Sequence, residues 1–159
     1  MELGSGNGYL GCVLAAVTDG STFPVVITDV GEHLALMRST VARNEGTVKD
    51  CASRVQVEEL LWGNGNGGTK ERLGTFDLIF GTDVAYRDYL HAPLIETIDE
   101  LLAPGGTCIL GISLCDTTPS FFDKLEEKGF RYEKVNDELI DPKFRGDMFA
   151  LIVIERRRS

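Results

Sequence analysis

The sequence is poor in the features that would take it out of the ordinary soluble class. Its 159 residues contain no long uninterrupted apolar run, so no membrane span is expected. No basic segment followed by an apolar stretch opens the chain, so no signal peptide is expected either. Cysteines stand at 12, 51, 108 and 115 with no C-x-x-C pair among them, and no zinc or other metal site is expected. Cys12 and Cys108 lie in apolar runs and read as small core residues. That usage suits a reducing compartment, the cytoplasm with the nucleus left open. Basic charge is scarce as well. Sixteen Lys and Arg face 25 Asp and Glu, leaving a formal charge of −9, the wrong sign for binding a nucleic-acid backbone broadly. The run Arg156, Arg157, Arg158 reads as a solvated tail. Nothing in the sequence speaks to oligomeric state.

What is present is an alternation of strands and helices in a chain of one domain's length, residues 1–159. Apolar spacing suits a helix from Gly8 to Val17, a buried strand from Phe23 to Asp29 and a helix from Gly31 to Gly46. Arg54 to Leu61 reads as a strand, Gly63 to Gly74 as a flexible glycine-rich surface loop, and Phe76 to Asp83 as a strongly apolar strand. Leu90 to Leu102 is expected to be helical, with Ala103-Pro-Gly-Gly turning sharply into the strand TCILGISL. Ser120 to Lys128 suits a helix, and FRYEKV and MFALIVIE close the chain as two strands without a helix between them. Such an order predicts an α/β fold: a mostly parallel sheet with helices on both faces and an antiparallel C-terminal hairpin.

In a sheet of this kind ligands bind beyond the carboxyl ends of the strands. There the chain carries ELGSGNGYLG, Glu2 to Gly11, and Asp29 ends the next strand. A dinucleotide fingerprint requires G-x-G-x-x-G; Gly4 and Gly6 fit, but Tyr9 stands third and the sequence reads G-x-G-x-G through Gly8 instead. Charge points the same way. A pyrophosphate wants amide donors and no nearby carboxylate, whereas Glu2 is welcome beside the ammonium and sulfonium of S-adenosylmethionine. Asp29 can accept from ribose hydroxyls in either case. A glycine turn that holds no ligand is the plainer alternative.

The strand FDLIFGTDVAY, Phe76 to Tyr86, ends in a D-x-x-Y motif. With ELGSGNGYLG, VVITD before a helix, the Leu60-Leu61-Trp62-Gly63 corner and the LLAPGG turn, the chain resembles the seven-strand S-adenosylmethionine-dependent protein methyltransferases with a D-x-x-Y motif, many of which methylate lysines on chaperones and translation factors. The resemblance runs in order along nearly the whole chain. It implies a Rossmann-like seven-strand sheet, S-adenosylmethionine as cofactor and a protein substrate of the chaperone or translation-factor class. It also implies roles: Gly4, Ser5 and Gly6 around the methionine and sugar, Asp29 on the ribose, Trp62 against the adenine, and Thr82 near the methionine part. Asp83 and Tyr86 would line the mouth for the target amine. Methyl transfer from a sulfonium is an in-line displacement, so positioning and desolvation matter more than strong acid or base chemistry. Asp83 could orient the arriving amine and Tyr86 supply an aromatic wall or a hydroxyl, with water a candidate for the proton.

Plainer roles exist for each residue: Trp62 as a core or edge anchor, Tyr86 as packing, Asp83 as a helix cap. His33 and His91 have no partner motif and read as surface or packing residues. No N-P-P-Y run stands at Asp83, which favours an amine or imidazole target over a nucleobase. Against the lysine reading stand methylation of a small amine or a histidine, a non-catalytic binding module on the same fold and, third, a dehydrogenase. Family members carry a segment ahead of the glycine loop with most of the first strand; here the chain starts at Met1-Glu2, so the first strand is expected to be truncated.

Overall fold

Residues 1–61 and 62–159 each gather their own apolar side chains into a compact unit. The computed structural model describes residues 1–18, 24–46, 51–63, 68–146 and 148–157. In the first unit, β1 (Val25–Asp29) and β2 (Val55–Glu59) pair in parallel, Val25 opposite Val55 and Asp29 opposite Glu59. Parallel neighbours need a crossover. Its elements are a 3-10 turn at Gly31–His33, α2 (Leu34–Asn44) and the short α3 (Cys51–Arg54). Ahead of β1 lies α1 (Tyr9–Val17). Cys12 and Ala15 from α1, Ile27 from β1, Met37 and Val41 from α2 and Val55 from β2 close one core. The place expected for the first strand is held by Glu2, which bridges Ile27 in parallel. Its N–H donates to Val26 O at 2.8 Å, and its carbonyl accepts from Thr28 N–H at 3.1 Å. Phe23, expected to open β1, lies outside the described residues.

The second unit holds α4 (Thr69–Leu73), β3 (Phe76–Thr82), α5 (Asp88–Leu101), β4 (Leu102–Ser113), α6 (Pro119–Glu127), β5 (Phe130–Lys134) and β6 (Phe149–Arg156). Its sheet runs β3-β4-β6-β5. β3 and β4 are parallel, and β6 is antiparallel to both β4 and β5, so the C-terminal hairpin forms as expected. Burial follows the period of two that strands impose: Cys108, Leu110 and Ile112 are buried in β4, and Ala150, Ile152 and Ile154 in β6. Among the described residues, the first unit thus holds two strands and the Glu2 bridge and the second unit four strands.

Three local expectations change. Ala103-Pro-Gly-Gly is not a turn outside the strand but an outsized bulge inside β4: pairing jumps from Phe76–Leu102 to Leu78–Thr107. Gly105 sits there at φ 77°, as a bulge that re-aims a strand demands. Of the glycine-rich loop, 64–67 lie outside the described residues, and Thr69–Leu73 is a helical turn. Arg156 is no solvated tail. It is the last residue of β6, paired with Asp99 of α5 and set over the Phe130 ring at 5.2 Å. Arg157 lies 3.4 Å from Glu126, and Arg158 is outside the described residues.

Candidate functional site

The alternating glycines of the loop follow from its backbone. Gly4, Gly6 and Gly8 have φ of 61°, 55° and 75°, the left-handed region that side chains disfavour. The loop is tied to the end of β1 by Ser5 N–H to Thr28 O at 2.9 Å and by Thr28 N–H to Ser5 Oγ at 3.0 Å. Asp29 completes the tie. One carboxylate oxygen accepts from Gly6 N–H at 2.7 Å, while the other accepts from Val30 N–H at 2.7 Å and lies 2.8 Å from His33 Nδ1. A carboxylate offers about four lone-pair sites, so acceptor capacity remains for a ligand hydroxyl. A side chain at Gly6 would meet nothing within 4 Å, and the loop is open there.

Glu2 lies beneath the loop, not on its surface. Only 2% of it is exposed, and its buried Oε2 has no hydrogen-bond partner among the described residues. Burial raises its pKa to about 7, against the Ser5 hydroxyl, the Gly11 N–H and the N-terminal ammonium, which lower it; Asp29 adds a further push upward. The carboxylate charge read from the sequence is therefore only partly present at neutral pH. A Cβ at Gly11 would stand 2.1 Å from Ile27 Cγ2 and 2.9 Å from Glu2 Oε2, so α1 can approach the strand this closely only with glycine there.

In the second unit, β3 ends in exposed Thr82 and the chain turns at Asp83, which has φ 57°. Aspartate tolerates this conformation better than most residues, yet it remains uncommon outside glycine. Asp83 N–H donates to Gly111 O at 2.8 Å. The side chain is not the cap of α5, whose N-cap position is Arg87 and carries no side-chain cap bond. Val84 and Ala85 turn inward and are buried, leaving Tyr86 48% exposed with the Arg87 guanidinium 5.4 Å from its ring centre. Trp62 is half-buried, and next to it Gly63 N–H donates to Thr97 Oγ1 at 2.9 Å.

The first unit therefore brings Ser5, Gly6 and Asp29 together over a buried Glu2, with Gly4 bending the loop; the second sets Thr82, Asp83 and Tyr86 along one corner. Sequence reasoning missed two partners. His33 meets Asp29, and its spacing of four residues was the available signal. His91, fully buried, places Nε2 3.0 Å from Ala85 O, a contact across an irregular corner that no local pattern encodes.

A family model of lysine methyltransferases matches residues 1–128. The chain is 30% identical over 136 residues to the protein N-lysine methyltransferase METTL21A of Mus musculus, a match covering 86% of this chain and 59% of that protein. To the EEF1A lysine methyltransferase 3 of Mus musculus it is 30% identical over 135 residues, covering 84% and 53%. The chain thus spans between half and three fifths of these relatives' length. Among solved structures, the glycopeptide N-methyltransferase MtfA superposes with a TM-score of 0.70 at 12% identity, over 98% of this chain and 82% of that one. That likeness fixes the fold class as Rossmann-like methyltransferase.

Proposed function

The chain belongs to the lysine methyltransferase family, and from that premise we propose that it transfers a methyl group from S-adenosylmethionine to a lysine side chain of a protein substrate. The observation that carries this reading is the corner itself: an exposed Asp83 carboxylate, held at φ 57° and free of any hydrogen bond or ion pair among the described residues, three residues from a half-exposed tyrosine. When bound, the cofactor supplies a methyl group on a positively charged sulfur. The loop fits such a ligand. It is open at Gly6, it has no basic side chain from Glu2 to Gly11, and Asp29 keeps acceptor capacity for ribose hydroxyls.

In this reading Gly4, Ser5 and Gly6 wrap the cofactor, Asp29 takes its ribose, Trp62 covers its adenine and Thr82 lies by its methionine part. Glu2 acts from below, by setting the loop and its charge. Asp83 accepts a hydrogen bond from the incoming amine and aims its lone pair, and Tyr86 walls the approach. A lysine has an ordinary pKa of about 10.4 and must reach the sulfur without its proton, so the amine has to shed water as it is positioned against the corner. The chain works as one methyltransferase domain, and its substrate belongs to the translation-factor or chaperone class, a choice favoured by the EEF1A methyltransferase among its relatives. We place it in the cytoplasm, supported by the buried free thiols Cys12 and Cys108. Among the described residues no helix is long and apolar enough to cross a membrane.

Titration calorimetry with S-adenosylmethionine and with NAD tests the cofactor, and mass spectrometry of lysine peptides from a treated cell extract tests the target. Binding of the first cofactor and a gain of methyl groups on lysine are expected. Binding of NAD in its place, or methylation confined to histidine or to small amines, would sink the proposal.

A further inference from the structure

The corner that carries Asp83 and Tyr86 has no regular secondary structure, so something must hold it. Two hydrogen bonds do. At one end Asp83 N–H reaches Gly111 O at 2.8 Å; at the other the imidazole of His91, in the first turns of α5, meets Ala85 O at 3.0 Å. A carbonyl only accepts, so Nε2 is the nitrogen that carries the hydrogen in this contact. The other nitrogen, Nδ1, is buried with no hydrogen-bond partner among the described residues. The ring is wholly buried, packed edge-on against Phe121 of α6 with centroids 5.2 Å apart. Asp88 Oδ1 lies 3.9 Å from Nε2, beyond hydrogen-bond reach, and instead accepts from the Thr118 hydroxyl at 2.8 Å.

A leucine or phenylalanine would fill this space against Phe121 without burying a bare nitrogen, which loses its water for no bond in return. The Nε2–Ala85 bond is what an imidazole adds. We propose that His91 is a positioning residue for the Asp83–Tyr86 corner: its Nε2–H clamps the Ala85 carbonyl and so fixes the peptide plane from which Tyr86 projects. The functional half of this inference rests on the reading of Asp83 and Tyr86 as the mouth for the target amine; the geometric half does not.

Three variants and three kinds of readout separate the possibilities. Nitrogen-15 NMR of the wild-type imidazole is expected to show the Nε2–H tautomer with a bare Nδ1; an Nδ1–H tautomer overturns the proposal whatever the variants do. In His91→Leu, amide hydrogen exchange at residues 84–87 should rise roughly tenfold, the scale of losing one buried hydrogen bond, while exchange in β4 and α6 stays put. His91→Gln, whose side-chain amide can donate to the same carbonyl, should restore slow exchange; His91→Asn, which is shorter, should not. On an array of lysine peptides with S-adenosylmethionine, His91→Leu should lose about tenfold in kcat with cofactor affinity unchanged, and His91→Gln should regain most of it. Exchange at the corner equal to wild type in the leucine variant, or glutamine no better than leucine, refutes the clamp. If His91→Leu does not fold, the tautomer and the glutamine–asparagine contrast decide. A wild-type protein that methylates no peptide defeats the proposed function, while the tautomer and exchange results still judge the clamp.

Discussion

Replacing Glu2 by glutamine should make the folded chain more stable at pH 8 and nearly neutral in effect at pH 4. The side chain is 2% exposed, and burial raises its pKa from 4.5 to about 7. A carboxyl whose pKa is higher folded than unfolded binds its proton more tightly in the native state. Its stabilising contribution is complete below the unfolded value and is lost as pH rises through the folded one. Each pKa step is worth roughly 1.4 kcal/mol, so about 3 kcal/mol disappears between pH 4.5 and 7. Glutamine has the same shape and no charge to bury, so it escapes that loss. Urea unfolding of both proteins across this range measures it. The difference in stability between variant and wild type should start near zero, climb through the window and level off at about 3 kcal/mol in favour of the variant. Two stability curves that run parallel across the window would show that Glu2 does not titrate differently on folding, and would refute the reasoning.

Gly11→Ala gains helix propensity of about 1 kcal/mol, yet its Cβ would stand 2.1 Å from Ile27 Cγ2. The clash should dominate, with a net loss of about 2 kcal/mol in chemical denaturation. Asp83→Asn keeps a residue that tolerates φ 57° but removes the charge. Thermal stability and cofactor affinity should hold while methyl transfer to lysine peptides falls by roughly tenfold or more. Unchanged transfer would remove Asp83 from the chemistry. Arg156→Ala breaks the pair with Asp99, whose carboxyl is pushed up by burial but held below its ordinary value by Arg156 and Lys128. The pair is partly exposed, so about 1 kcal/mol should be lost at neutral pH in urea unfolding. A lowered carboxyl stabilises above its unfolded pKa and loses that contribution in acid, so the deficit should shrink as pH falls below the ordinary carboxylate value.

The elements most readable in advance were those with a strong local period or a demanding backbone. β6 declared itself by an unbroken apolar run, and the loop glycines by their spacing, because three left-handed residues in five leave little choice of side chain. The bulge at Ala103–Gly106 was harder: Pro-Gly-Gly looks the same whether the chain leaves the sheet or buckles within it, and only pairing with β3 separates the two. Arg156 misled for a related reason. A basic run reads as tail until Asp99, 57 residues away, is seen to meet it.

The sequence by itself determined the family and the fold class and singled out the loop and the corner, because those depend on residue type at short spacing. Tertiary structure decided what each charged or polar group is. Glu2 became a buried acid with a pKa of about 7, Asp29 a tie between loop and His33, and His91 the support beneath Ala85. Protonation, hydrogen-bond partners and exposure all follow from which atoms surround a group and how much water they exclude, and that environment is assembled from residues far apart in the chain.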